Sequence, residues 1–441
     1  MKREIYNKLI AWKKDKKKKP LILRGARQVG KTYILQAFAE ENYENYLYLN
    51  FEEQKDLKNI FEPDLVPIRI IKDLELIYNA KIIPEKTLLI FDEIQECPNA
   101  LNSFKYFAEK LKEYHLIAAG SLLGVKLGNN KGFPVGKVNF LNLYPLNFYE
   151  FLMAIGRDDL KNYLLNMTNG QIISGATHNI LMRYLKDYLF VGGMPEVVLK
   201  YREEINKERI DYNIIRQIQN DIIDGYILDF AKHATKENIE KISQIWESIP
   251  AQLGKENKKF QYSGIKRSAR AREYEDALQW LLDAGLVNKV HNINLPELPL
   301  KRFAQDNIFK LYFLDTGLLG AKCDLGPKVI INDFELFLIF RGALTENFVC
   351  QELVQTGKSL YYWTSDGKAE VDFILSFENN VYPLEVKAGK SKKKRSLNVY
   401  REKYKPKILS RASSRNFTKD GHVINYPLYL ISGFPELSEF K

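Results

Sequence analysis

The amino-terminal third of the chain combines short, continuous apolar runs with one amphipathic stretch. The runs at residues 21–23, 87–91 and 115–119 predict buried strands of a parallel sheet, because both faces of such strands are covered. Residues 33–39 have the spacing of an amphipathic helix. This order predicts an α/β domain.

The middle of the chain predicts helices interrupted by a sharp break. Residues 145–152 and 180–190 have helical patterns, and Gly192-Gly193-Met194-Pro195 ends the second one. Apolar residues then follow helical spacing over 274–282 and close at Gly285.

Residues 286–290 read as a strand directly after that helix. Helices followed by a strand, with basic residues just upstream, are typical of a winged-helix-like unit; these residues are Lys266, Arg267, Arg270 and Arg272. Such units bind DNA through one helix, or they dock proteins. The pattern leaves both roles open.

The carboxy-terminal part predicts a helix and a strand pair. Residues 342–353 are a helical run, residues 370–375 and 381–387 read as strands, and a turn at 378–380 joins the two strands. We therefore expect a second α/β domain here.

Composition limits the class of protein. A chain of 441 residues exceeds what one hydrophobic core usually serves, so two or three domains are expected. No apolar stretch approaches the roughly 20 residues of a membrane span, and the amino terminus lacks the apolar core of a signal peptide. Cys97, Cys323 and Cys350 show neither paired nor metal-ligand spacing. These features predict a cytoplasmic protein with no membrane partner.

The formal net charge of +11 favours contact with a polyanion such as DNA or RNA. Two runs hold much of this charge: Lys13, Lys14, Lys16, Lys17, Lys18 and Lys19, and Lys390, Lys392, Lys393, Lys394 and Arg395. A solvated basic face explains each run as well as nucleic-acid contact does. The five histidines are dispersed, so neither a zinc site nor a histidine-based triad is indicated.

The first apolar run leads into a phosphate-binding loop (P-loop) of the form Gly-x4-Gly-Lys-Thr. The residues expected to contact ATP are Gly25, Ala26, Arg27, Gln28, Val29, Gly30, Lys31, Thr32 and Tyr33. The glycines let backbone N–H groups surround the phosphates at a helix N-terminus. Lys31 would neutralise the β and γ phosphates, and the Thr32 hydroxyl would ligate Mg²⁺.

Two further strand ends complete the predicted nucleotide site. Asp92 would hold Mg²⁺ through its carboxylate or a bound water, and Glu93 would polarise the attacking water. Ser121 follows the strand at 115–119. In ATPases with an additional strand, the polar residue at this place contacts the γ-phosphate, so Ser121 is the candidate sensor; a simple turn serine is the alternative.

The carboxy-terminal strands carry two carboxylates and a lysine. If the strands pair as a hairpin, Asp372 lies close to Glu385, and Glu385 and Lys387 share one face. Such a set suits metal-assisted phosphodiester hydrolysis, with Mg²⁺ on Asp372, Glu385 and Glu346 and with Lys387 orienting water. Alternating charge on an exposed strand is the competing interpretation.

Several stretches together resemble one family. They are GARQVGKT, LLIFDEIQ, AAGSLLG, FPVGKVNFLNLYPLNFYEFL, YLFVGGMPEVV, FKLYFLDTGLL, RGALTENFVCQEL and VDFILSFENNVYPLEVKAG. The chain resembles prokaryotic AAA-type ATPases whose carboxy-terminal half is a domain of unknown function related to restriction-endonuclease folds. That family tends to have Arg where this chain has Lys137, which would keep the charge but lose bidentate geometry.

The resemblance implies a P-loop core at 1–160, a helical lid or linker at 161–230, a winged-helix-like unit at 231–300 and an endonuclease-like domain at 301–441. Two functions remain open. The first is an ATPase that acts on DNA or RNA through the last domain. The second is a nucleotide-controlled switch that binds a protein partner, or a second copy of the chain, with a catalytically inactive last domain. A small-molecule kinase fits less well, because the Asp-Glu pair suits attack by water.

Overall fold

The computed structural model describes residues 1–121, 133–167, 171, 173–207, 209–326, 338–365, 369–389 and 395–436. The chain forms two compact units, one of residues 1–144 and 279–285 and the other of residues 145–278 and 286–441. Within the described ranges no helix is both long enough and apolar enough to cross a membrane.

The first unit contains a five-stranded parallel sheet in the order β2-β3-β4-β1-β5. Its strands are β1 (Leu21–Arg24), β2 (Asn45–Asn50), β3 (Thr87–Asp92), β4 (His115–Gly120) and β5 (Asn139–Asn142). Every residue of β3 and β4 is buried, which explains their continuous apolar runs. The predicted α/β class with a parallel P-loop sheet is confirmed.

Four helices belong to the same unit: α1 (Ile5–Lys14), α2 (Lys31–Asn42), α3 (Pro67–Tyr78) and α4 (Pro98–Lys110). Pro67 and Pro98 stand at the first positions of α3 and α4, where the missing N–H costs nothing. Residues of β2, β3, α3 and α4 share one buried apolar cluster with Phe51 and Phe61. This packing holds the sheet and fixes the carboxyl ends of its strands.

The described residues after 144 contain ten further α-helices: α5 (Phe148–Ala154), α6 (Asp158–Leu165), α7 (Gly175–Val191), α8 (Pro195–Glu204), α9 (Tyr212–His233), α10 (Lys236–Leu253), α11 (Ala271–Asp283), α12 (Thr316–Lys322), α13 (Leu338–Gln355) and α14 (Arg395–Tyr404). The helices predicted at 145–152 and 180–190 correspond to α5 and α7. α5 begins at a capping box, in which Asn147 accepts from the Glu150 N–H and Glu150 accepts from the Asn147 N–H.

The second unit contains an eight-stranded mixed sheet in the order β12-β13-β11-β10-β9-β8-β6-β7. Its strands are β6 (Val287–Ile293), β7 (Ala304–Phe313), β8 (Tyr361–Ser365), β9 (Ala369–Phe377), β10 (Asn380–Lys387), β11 (Leu409–Ser413), β12 (Thr418–Asp420) and β13 (Val423–Pro427). The pairs β10–β11, β11–β13 and β6–β8 are parallel, and the others are antiparallel.

The strand expected in the winged-helix-like unit lies in this large sheet. β6 pairs with β7 on one side and with β8 on the other, so it is an interior strand. Its backbone hydrogen-bonding groups are therefore satisfied by strands from residues 301–441. The boundary between 300 and 301 stays a prediction, and it would cut across this sheet.

The strands β9 and β10 form the predicted hairpin. Phe377 pairs with Asn380, and the two loop residues Glu378 and Asn379 have φ of 44° and 61°. Two left-handed loop residues define the type I′ geometry that matches the twist of paired strands. The turn predicted at 378–380 is thus confirmed.

The break after α7 is a close approach of two backbones. Leu146 donates its N–H to the Gly193 carbonyl at 2.7 Å, and a β-carbon on Gly193 would lie 2.1 Å from the Leu146 carbonyl oxygen. Only glycine fits at this contact. By contrast, Gly175 at the start of α7 has nothing within 4 Å of its hypothetical β-carbon.

We expect Gly193→Ala to lower the free energy of unfolding by about 1–3 kcal/mol, because the backbone around Leu146 must shift. Gly175→Ala is the matched control and should leave stability unchanged or slightly raised, since alanine favours helix. Urea denaturation followed by circular dichroism measures both variants. Equal midpoints for the two variants would contradict the proposed contact.

Candidate functional site

The sheet order brings three sequence motifs to one edge. β4 lies between β1 and β3, and all three strands run parallel. The P-loop follows β1, Asp92 ends β3, and Ser121 follows β4. Ligands of open α/β sheets bind outside the carboxyl ends of the strands. The three predicted parts of the nucleotide site therefore meet at that edge.

The P-loop has the backbone that its glycines permit. Gly30 has φ of 90° and forms the N-cap of α2, and Gln28 also lies in the left-handed region with φ of 63°. Lys31 is buried, and its Nζ donates to the carbonyl oxygens of Gly25 at 3.0 Å and Ala26 at 2.8 Å. The ammonium group thus lies against the loop that would surround the phosphates.

The loop and the end of β3 are joined by a direct hydrogen bond. The Thr32 hydroxyl donates to Oδ2 of Asp92 at 2.6 Å. Oδ1 of the same carboxylate accepts from the Glu93 N–H at 2.9 Å. Asp92 is buried, and these two hydrogen bonds hold both oxygens of its carboxylate. A hydroxyl and a carboxylate are oxygen donors of the kind that Mg²⁺ prefers.

Glu93 follows in a left-handed backbone conformation with φ of 48°, directly after the end of β3. Its carboxylate accepts a hydrogen bond from Nε2 of the buried Gln95. Burial raises the pKa of the Glu93 carboxyl above its usual value, while Gln95 and Lys31 act in the opposite direction. A carboxylate with raised basicity accepts a proton from water more readily.

Ser121 and Arg27 lie together on the other side of the loop. The Arg27 Nε donates to the Ser121 Oγ at 3.2 Å, and its Nη2 lies 3.9 Å from Glu52. Ser121 is buried, whereas Tyr33 at the end of the predicted loop set is 57% exposed.

Lys137, at the position where the resembled family tends to have Arg, forms an ion pair with Glu109 at 2.9 Å.

Three carboxylates come together in the second unit. One oxygen from each of Glu346, Glu370 and Asp372 lies within 4.8 Å of the others, as required for a shared metal ion. Glu346 is on α13, and the other two are on β9. The sequence predicted Glu346 and Asp372 as ligands and missed Glu370. We call these three residues the carboxylate cluster.

Two lysines neutralise the carboxylate cluster. Lys310 on β7 is fully buried, and its Nζ lies 2.9 Å from Glu346, 2.5 Å from Glu370 and 3.9 Å from Asp372. Glu346 also contacts Lys258 and the Tyr312 hydroxyl. An ammonium group therefore already provides the positive charge that a metal ion would supply to this cluster.

The same contacts set the protonation states. Burial opposes ionisation of Glu346, but Lys258 and Lys310 outweigh it and lower its pKa to about 2. Burial, together with the neighbouring Glu346 charge, raises the pKa of Asp372 to about 7. The contacts thus favour the ionised form of Glu346 and the protonated form of Asp372.

Glu385 and Lys387, the other predicted members of this site, lie in a separate ion-pair group. Lys387 Nζ is 3.1 Å from one oxygen of Glu385, and Arg411 Nε is 3.4 Å from the other. Asp372 instead accepts from the Val386 N–H at 2.7 Å. Glu385 is therefore not one of the three clustered carboxylates, because the buried Arg411 on β11 holds its side chain.

Some of the missed residues had a signal in the sequence. Glu370 shares a strand face with Asp372 by simple alternation. Lys310 is a lone charge in the apolar run of β7, and such a residue needs a buried partner. Lys258 has no comparable local signal. The basic residues 390–394 and the residues that follow Ser121 as far as 132 lie outside the described residues.

Comparison with known proteins agrees with this geometry. A model described as an AAA domain matches residues 17–152, a domain of unknown function, DUF8612, matches 182–328, and another, DUF4143, matches 341–430. The uncharacterized protein MJ1544 of Methanocaldococcus jannaschii is 23% identical over 413 residues, which cover 90% of this chain and 81% of that protein.

Two solved structures are distantly similar. The Walker-type ATPase PABY2304 of Pyrococcus abyssi has 15% identity and a TM-score of 0.46, and the match covers 73% of this chain and 95% of that chain. The RuvB Holliday junction branch migration motor of Thermotoga maritima has 14% identity and a TM-score of 0.29, with 69% and 93% covered.

The parallel sheet and the AAA-domain match at residues 17–152 show that the first part of the chain has a P-loop NTPase fold. In the carboxy-terminal part of the chain, residues 341–430 resemble the domain DUF4143. The restriction-endonuclease-like core expected for that part stays a prediction.

We expect Lys310→Met to lower the free energy of unfolding by about 3–5 kcal/mol, because it removes the buried counter-charge of Glu370 and Asp372 and one of the two counter-charges of Glu346. Lys358→Met is the matched control: Lys358 pairs with the exposed Glu436 at 2.9 Å, and its loss should cost no more than about 1 kcal/mol. Chemical denaturation at neutral pH compares the two. A Lys310→Met protein as stable as the control would show that the ammonium does not neutralise the cluster.

Proposed function

We propose that this chain binds ATP and hydrolyses it with Mg²⁺ at the site formed by Lys31, Thr32, Asp92, Glu93 and Ser121. The observation that carries this proposal is the 2.6 Å hydrogen bond between Thr32 and Asp92, which joins the P-loop to the end of β3. A phosphate-binding loop and an acidic strand end in contact are what metal-assisted phosphoryl transfer requires.

Each residue has a role that follows from its position. The backbone N–H groups of Gly25–Tyr33 and the N-terminus of α2 favour the anionic phosphates. Lys31 exchanges its contacts with the Gly25 and Ala26 carbonyls for the β and γ phosphates. Thr32 and Asp92 would hold Mg²⁺, which supplies charge neutralisation when bound. Glu93 orients water and accepts its proton, and Ser121 contacts the γ-phosphate.

We expect Glu93→Gln to lower the rate of ATP hydrolysis by about 100-fold or more while ATP binding persists, because the amide cannot accept the proton. Glu85→Gln is the matched control, since Glu85 also has a left-handed backbone, with φ of 62°, but is exposed. Phosphate release and binding of a fluorescent ATP analogue measure the two steps.

Lys31→Ala should abolish phosphate release, because it removes the ammonium group that would neutralise the β and γ phosphates. Unchanged hydrolysis in Glu93→Gln, or hydrolysis that persists in Lys31→Ala, would contradict the assigned site.

We propose nucleic acid as the partner of the carboxy-terminal domain. The net charge of +11 supports a polyanionic partner. Beyond the basic run that ends at Arg395, further basic side chains are exposed at and after the end of α14, among them Arg401, Lys405 and Lys407. In this proposal the four predicted domains act together, with the ATPase core driving the domain that contacts the polymer.

The carboxylate cluster favours binding over cutting. Lys310 and Lys258 already balance the charge of Glu346, so the cluster does not depend on Mg²⁺ for neutralisation. This observation also supports the second candidate function, a nucleotide-controlled switch with a catalytically inactive carboxy-terminal domain and a protein partner. Cleavage through Asp372, Glu385 and Lys387 remains the alternative that experiment must separate.

We expect a triple variant, Arg401→Gln, Lys405→Gln and Lys407→Gln, to weaken binding to DNA or RNA and to reduce its salt dependence, because fewer counterions are released. The matched control removes three positive charges from exposed sites outside both basic runs: Lys72→Gln, Lys81→Gln and Lys112→Gln. Fluorescence anisotropy over a salt series measures both.

If both triple variants bind the nucleic acid equally weakly, the effect comes from the net charge and not from Arg401, Lys405 and Lys407. Absence of binding by the wild type to either polymer would favour the protein-binding switch. Mg²⁺-dependent cleavage of plasmid by the wild type, lost in Asp372→Ala and Lys387→Ala, would replace binding with nuclease chemistry.

A further inference from the structure

The Asp92 carboxylate receives a third hydrogen bond that the P-loop motif does not account for. The Tyr48 hydroxyl donates to Oδ2 of Asp92 at 2.8 Å. The same oxygen accepts from Thr32 at 2.6 Å, while Oδ1 accepts from the Glu93 N–H. Three donors from three different parts of the unit thus converge on one carboxylate.

The position of Tyr48 follows from the strand pairing. β2 runs parallel to β3, with Tyr48 beside Ile90 and Asn50 beside Asp92. Leu47 and Leu49 point into the core and are buried, so Tyr48 lies on the other face of the strand and is only partly buried. Its ring reaches towards the end of β3, where the hydroxyl meets Asp92.

Tyr48 is a donor over the whole neutral range. A tyrosine hydroxyl has an ordinary pKa of about 10, so it keeps its proton at neutral pH. The Tyr48 hydroxyl is therefore the donor, and the Asp92 carboxylate oxygen is the acceptor.

We propose that Tyr48 is a positioning residue for Mg²⁺ at the nucleotide site: its hydroxyl holds the Asp92 carboxylate in the orientation that Thr32 and the metal require. The proposal rests on the ATPase function proposed above. It adds a residue from β2 that lies outside both the P-loop and the acidic strand end.

The hydroxyls of Thr32 and Tyr48 both donate to Oδ2 of Asp92, but they have different roles. A carboxylate oxygen has two in-plane lone pairs, and Thr32 and Tyr48 together engage Oδ2. Thr32 gives its hydrogen to Asp92, which leaves its own oxygen lone pairs directed elsewhere and free for the metal. Thr32 and Asp92 would hold Mg²⁺ directly or through a bound water, and the Tyr48 hydroxyl would keep the Asp92 carboxylate from turning.

Tyr48→Phe removes only the hydroxyl. We expect the Mg²⁺ concentration that half-maximally tightens binding of a fluorescent ATP analogue to rise by about tenfold, as for other groups that orient metal ligands. Binding of the analogue in EDTA, and the melting temperature of the free protein, should stay at wild-type values. Hydrolysis should show the same shift in Mg²⁺ dependence, with a smaller change in kcat at saturating Mg²⁺.

Tyr46→Phe is the matched control, because Tyr46 lies on the same face of β2 and its hydroxyl donates to the exposed Glu40 at 3.4 Å. This variant should match the wild type in every measurement.

The possible outcomes distinguish the proposed ATPase function from the proposed role of Tyr48. If the wild type binds no ATP analogue, the proposed ATPase function fails. If Mg²⁺ tightens binding equally in the wild type and in Tyr48→Phe, only the role of Tyr48 fails. A Tyr48→Phe protein with weaker binding in EDTA, or with a lower melting temperature, would overturn the proposal as well, because the hydroxyl would then support the fold.

Discussion

The hydrogen bond from Thr32 to Asp92 ties the first turn of α2 to the end of β3. The strand β4 lies between β1 and β3, so this bond spans the carboxyl edge of the sheet and closes the site on both sides of β4. The constraint behind it is the parallel sheet. Only when all three strands point the same way do their ends deliver a loop, a carboxylate and a serine to one place.

In the second unit, the main electrostatic feature is the carboxylate cluster of Glu346, Glu370 and Asp372. Three carboxylates approach one another on β9 and α13, and buried like charges are costly unless they are paired. Lys310 and Lys258 balance them, and the outcome is a closed ion network with a strongly acidic Glu346. The proposed nucleotide site has oxygen donors, Thr32 and Asp92, that would bind Mg²⁺. In the carboxylate cluster, the ammonium groups of Lys258 and Lys310 supply the positive charge.

Sequence reasoning succeeds where the chemistry is local. The P-loop lies within eight consecutive residues, Asp92 and Glu93 end one apolar run, and the β9–β10 turn is set by neighbouring residues. It fails where partners are distant along the chain. Lys258 is 88 residues from Glu346, and Arg411 is 26 residues from Glu385. No pattern within one element reveals that Arg411 pairs with Glu385, or that β6 joins the large sheet.

The two lysines of the carboxylate cluster also bear on how this protein can be divided. Lys258 and Lys310 lie outside the DUF4143 match at 341–430, whereas all three carboxylates lie inside it. A fragment cut at that boundary would keep the acids and lose the bases that neutralise them. It would lose β6 and β7 as well, and so leave β8 as a bare sheet edge. The segment that matches DUF4143 is therefore smaller than the sheet and the ion-pair network to which it contributes.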